Sequence, residues 1–102
     1  MATTATTTRR TKKRPAPLPA PEHSVTHAAL VEYLAASAVT ELVIVEYDQR
    51  LYRIEAQLSW RSGRSVLVAA RGDRTFRSLD TVATLLRTIG TGSTLVRVEL
   101  RG

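Results

Sequence analysis

Cysteine is absent from this chain of 102 residues, which excludes disulfide staples, thiolate zinc sites and cysteine nucleophiles together. That absence fits a reducing cytoplasm. No apolar run approaches the roughly 18 residues needed to cross a bilayer, so no membrane segment is expected. Nor is the basic N-terminal stretch followed by the apolar core of a secretory signal. A chain of this length with 43% hydrophobic residues suits one domain with a core of limited size. A large enclosed active-site cavity is therefore not expected.

Negative charge is also in short supply, with 9 acids against 15 lysines and arginines and a net charge of +6. The excess is uneven. Arg9, Arg10, Lys12, Lys13 and Arg14 face only Glu22 within residues 1–24, which leaves +4 there and +2 for the remainder. The strongly basic character thus belongs to the leader, and the rest of the chain is nearly balanced.

Residues 1–24 are Thr, Ala, Pro and basic residues with almost no large apolar side chains, a composition that cannot offset the entropy of ordering. They are expected to form a disordered basic tail, stiffened by Pro15, Pro17, Pro19 and Pro21 into a semi-rigid spacer. Residues 25–102 read as one α+β domain. Ser24 or Thr26 can cap a first helix, whose Leu30, Val31 and Leu34 recur at helical spacing and which should end between Ala36 and Val39. Leu42 to Tyr47 reads as a buried strand.

From Leu51 to Trp60 the period is two. Tyr52, Ile54, Ala56, Leu58 and Trp60 fall on a core face, and Arg53, Glu55, Gln57 and Ser59 on a face expected to be wet. Ser62 and Gly63 supply a turn, Ser65 to Ala70 returns as a strand, and Gly72 and Asp73 form another turn before a short strand from Arg74 to Arg77. Ser78 then caps a helix. Leu79, Val82, Ala83, Leu86 and Ile89 line one side of it, Asp80 suits its N-terminal dipole, and Gly90 ends it. A last strand from Leu95 to Leu100 is expected to join a sheet edge. The resulting expectation is an antiparallel sheet of four to five strands covered by one or two helices, in the order α-β-β-β-(β)-α-β.

Catalysis draws no support from the pattern. The carboxylates are scattered among arginines, the serines have no adjacent base, and the nucleophile-elbow spacing is missing. Gly90 and Gly92 follow a helix rather than a strand, out of context for a phosphate loop. His23 and His27 are too few for a metal site. No enzyme activity, cofactor or metal is expected.

Polyanion contact is the chemistry the sequence points to. Arg9, Arg10, Lys12, Lys13 and Arg14 suit nucleic-acid phosphates without sequence preference. A second set, Arg53, Arg61, Arg64, Arg71, Arg74 and Arg77, offers guanidinium forks that on a two-stranded ribbon could enter a DNA groove. Cross-strand salt bridges account for the same residues equally well. The last strand, as an edge, is a template for pairing with a second copy.

Leu58 to Arg61, Val66 to Gly72 with Phe76, and Ser78, Leu79 and Asp80 leading to Ile89 and Gly90 together resemble the ParC-type plasmid partition-associated family of small proteins. The likeness spans roughly residues 26 to 101. It implies a non-enzymatic accessory role in maintaining a bacterial plasmid or mobile element, with DNA and partition proteins as partners, and it transfers no active residue. A protein-interaction module without direct DNA binding is the alternative reading.

Overall fold

Alternating apolar residues make the strands, and two capped helices supply their cover. The computed structural model describes residues 21 to 101 apart from 49 and 71. The expected tail residues Arg9, Arg10, Lys12, Lys13 and Arg14, and Arg71 of the second set, lie outside the described residues. The chain runs β1 (His23–Thr26), α1 (His27–Ala35), β2 (Val39–Asp48), β3 (Leu51–Leu58), β4 (Arg64–Ala69), β5 (Gly72–Asp73), β6 (Thr75–Phe76), α2 (Leu79–Ile89) and β7 (Leu95–Glu99). The class is α+β, as the sequence pattern suggested.

The sheet has the order β1-β4-β3-β2-β7, with β5 beside β4 and β6 beside β3. Its centre is the expected antiparallel meander of β2, β3 and β4. Its flanks are not antiparallel. β1 runs parallel to β4 and β7 parallel to β2, so the sheet is mixed. Parallel neighbours need a crossover, and α2 lies on the return path from β6 to β7. Alternation along a strand reports which face a residue takes and carries no information about strand direction.

Both helices lie on one face. Leu30 of α1 and Val82 of α2 are fully buried in one cluster with Leu42, Ile44, Ile54, Leu58 and Leu67. The Thr26 side chain accepts from the Ala29 amide to start α1. Its end is a Schellman turn, in which the Ser37 amide donates to the Leu34 carbonyl and the Ala38 amide to that of Tyr33. Ser37 takes the left-handed conformation there, at φ 58°. α2 starts on Ser78, which accepts from the Thr81 amide, and stops at Gly90 with φ 75°, as its sequence signals indicated.

Several boundaries differ from the sequence reading: β2 already begins at Val39 and runs through Asp48, the short strand β6 is only Thr75–Phe76, and three further differences change the architecture. His23 and Ser24, assigned above to the disordered tail, pair with Ser65 and Val66 in β1. Gly72 and Asp73, expected as a turn, form β5 against Ala69 and Val68. The third strand ends at Leu58, because the Gln57 side-chain amide donates to the Arg61, Leu58 and Gly63 carbonyls and folds the chain into a loop. Trp60 therefore leaves the core face and stands 53% exposed.

Candidate interaction surfaces

The face of the sheet opposite the helices carries most of the charged strand residues. Register places Glu41, Val43 and Val45 of β2, Arg53, Glu55 and Gln57 of β3, Arg64 and Val66 of β4, and Arg97 and Glu99 of β7 on this side. It was expected to be wet, and much of it is dry. Val43, Val45 and Val66 are buried, and so are Arg53 and Glu55 at 4% exposure each.

A connected ion network produces this burial. Arg53 Nε donates to Glu55 Oε2 at 2.7 Å, and the Arg53 guanidinium stacks 5.1 Å from the centre of the Tyr47 ring. The second Glu55 oxygen accepts from Arg64 at 3.2 Å. Arg64 also grips both oxygens of Glu99, at 3.2 and 3.1 Å. Arg97 links Glu99 at 3.2 Å to Glu41 at 3.5 Å. β4 and β7 are three strand spacings apart, roughly 14 Å. To meet, the Arg64 and Glu99 side chains must lie flat across the sheet, over the Val43 and Glu55 row between them. The long charged chains therefore act as a cover, their aliphatic stems on the valines and their heads on one another.

These contacts shift two charges in the directions a mutual pair requires. Hydrogen bonding to Glu99 raises the Arg64 pKa above its ordinary value, opposed by partial burial and helped by Glu55. Hydrogen bonding from Arg64 lowers that of Glu99, against a desolvation effect and with help from the nearby charge of Arg97.

The second arginine set is not one patch. Arg53 and Arg64 belong to the network just described. Arg61, in the loop after β3, stacks 4.4 Å from the centre of the Trp60 ring and donates to the buried Ser65 hydroxyl at 3.1 Å. Trp60 in turn meets Tyr33 of α1 edge to face at 5.7 Å. Arg74 lies 5.3 Å from the Phe76 ring, and Arg77 beside it is exposed. Because Thr75 and Phe76 pair with Arg53 and Tyr52 at the start of β3, Arg74 and Arg77 sit at the opposite end of the sheet from Arg61. The separation is on the order of 20 Å, from about 3.3 Å per strand residue. Among the described residues these guanidinium groups form no continuous ribbon.

Two further surfaces stand out among the described residues. A cleft of about 480 Å³ lies where α1 ends and the loop after α2 leads into β7, lined by Leu34, Val39, Ser37, Thr40, Ser93 and neighbouring residues. Its polar groups are hydroxyls and backbone, with no acid or base in its wall. Among the described residues, no three His, Asp or Glu side chains converge as metal ligands would. The other surface is β7 itself. It pairs only with β2 among the described strands, and Leu95, Val96, Val98 and the following Leu100 are all large exposed apolar residues. Set against family models, curated proteins and solved structures, the chain finds no match.

Proposed function

We propose that this chain is a non-enzymatic, DNA-associated accessory protein in which the two tasks are physically separated. The leader grips phosphates, and the folded body engages protein through its open sheet edge. The observation that carries this reading is where the body's charge goes. Arg53, Arg64 and Arg97 spend their guanidinium groups on Glu41, Glu55 and Glu99. Five cations within residues 9–14 remain the densest positive charge in the sequence. On this reading DNA contact is non-specific or weakly specific, and the likeness to plasmid partition-associated proteins makes partition proteins of a bacterial mobile element the natural partners, in the cytoplasm.

The test is a salt series of duplex DNA binding. Each phosphate contact contributes about −0.9 to the slope of log K against log salt, so the full chain should give a slope as steep as about −4.5 if all five leader cations engage. Replacing Arg9, Arg10, Lys12, Lys13 and Arg14 by Ala should flatten that slope and abolish retention at moderate salt. The triple change of Arg71, Arg74 and Arg77 to Ala should leave it nearly unaltered. If the triple change is the damaging one, the body reads DNA and the division of labour is wrong. If the full chain itself fails to bind at low salt, the pure protein-interaction reading, which the exposed β7 favours, takes its place.

A further inference from the structure

β7 carries a pattern that is complementary to itself. Register with Val43 and Val45 puts Arg97 and Glu99 on the sheet's charged face, and register with Leu42 and Ile44 puts Val96 and Val98 on the helix face; Leu100 follows directly after the strand and continues the alternation in sequence. The order Val96-Arg97-Val98-Glu99-Leu100 is symmetric in character about Val98, with opposite charges on either side of it. If a second β7 is laid antiparallel alongside, with the two-fold axis through Val98, Arg97 falls opposite Glu99 of the second copy, and Glu99 opposite its Arg97. Val98 then meets Val98, and each Val96 meets a Leu100. Shifting the register by two residues in either direction breaks this match, since it puts like charges face to face, which cross-strand pairs disfavour.

We propose that β7 is a homodimerisation edge, pairing antiparallel with β7 of a second copy about Val98 to make one continuous sheet across both subunits. The proposal rests on the reading above that the body is a protein-interaction module, and it names the partner. Arg97 and Glu99 are 48% and 41% exposed in their side chains, so both are accessible to a partner strand. Val98 at 44% and Leu100 at 62% are apolar surface that the pairing would cover. The other outer strand offers no such match. β1 is four residues long, His23–Thr26, with Val25 its one apolar side chain and already buried. A β7-to-β1 contact would moreover be heterologous and build open chains, whereas β7-to-β7 closes at two. Five residue pairs make a small interface, under the roughly 1,200 Å² of standard stable complexes, so the dimer is weak and concentration-dependent.

The lack of native cysteine makes the register directly readable. Paired residues in an antiparallel sheet have Cα atoms about 4.5 or 5.5 Å apart, inside the range a disulfide bridges. Under mild oxidation, full-length Val98→Cys should crosslink to a covalent dimer. Val96→Cys alone should not, because its symmetry mate lies about four residues away along the strand, roughly 13 Å. A mixture of Val96→Cys and Leu100→Cys chains should crosslink with each other. Sedimentation of the unmodified protein should show a monomer–dimer equilibrium, shifted strongly to monomer by Val98→Lys while circular dichroism stays native. Crosslinking of Val96→Cys as fast as Val98→Cys overturns the register. A monomer at every concentration up to millimolar, with the salt slope of DNA binding intact, overturns the dimer alone and leaves the leader's role standing.

Discussion

On the helix side of the sheet, Leu42, Ile44, Ile54 and Leu67 are closed from water by Leu30 and Val82, whereas on the other side Val43, Val45 and Val66 lie beneath a mat of arginine and glutamate side chains. Both layers end up dry, by opposite chemistry. Apolar cover tolerates small shifts, since dispersion and burial are non-directional. Ionic cover tolerates few, because each charge taken out of water has to be matched by partners in good geometry. The helix face therefore supplies bulk stability, and the charged face fixes how β4, β3, β2 and β7 sit relative to one another. That second effect matters for function, since it holds Arg97 and Glu99 at the sheet edge where a partner strand would meet them.

Breaking the ionic layer should cost most. Glu55 serves two guanidinium groups at 2.7 and 3.2 Å and is itself buried. Glu55→Gln removes that countercharge without changing shape, and should destabilise by about 4 kcal/mol, the scale of breaking a buried pair. Joint replacement by Arg53→Met and Glu55→Leu should cost far less, as apolar substitutes for buried ion pairs often do. Urea unfolding of the three proteins decides it, and equal losses for the single and joint variants would mean that the charges are not the issue. The apolar layer gives the reference. Leu30→Ala, at a fully buried site, should cost about 3 kcal/mol, within the usual range for such truncations, with no sensitivity to salt or pH.

The same contrast explains what the sequence could and could not reveal. α2 was legible from its first residue to its last because cap, spacing and stop are all local: Ser78, then Leu79, Val82, Leu86 and Ile89, then Gly90. The meander of β2 to β4 was legible from alternation and turns. Arg53 and Glu55, by contrast, look like any solvent-facing alternation, and what buries them is partly Arg64 and Glu99, which are 35 residues apart in sequence. Trp60 continued the alternation by one step past the strand's real end, since a single side chain, Gln57, folds the loop. β1 is four residues with one apolar side chain, below what periodicity can detect. The edge position of β7 was foreseen, yet its parallel direction was not.

The smallest expected effect is the most specific to the ionic layer. Glu99 has its pKa lowered by the Arg64 hydrogen bond, so the folded protein holds its proton less tightly than the unfolded chain does. A depressed carboxylate pKa stabilises the fold above the unfolded value, near 4.3 for glutamate, and that contribution is lost as pH falls through the lower folded value. The partner shift on Arg64 is upward and has no consequence in the same range, because arginine stays charged throughout. Comparing the native protein with Glu99→Gln at dilute concentration, so that the proposed β7 pairing does not contribute, should therefore show a urea-midpoint difference at neutral pH that shrinks toward zero below about pH 4. Raising salt should shrink it too, since Glu99 is 41% exposed in its side chain and its pair is open to screening. A difference that persists unchanged at low pH would mean that Glu99 acts through packing over Val43 and not through its charge.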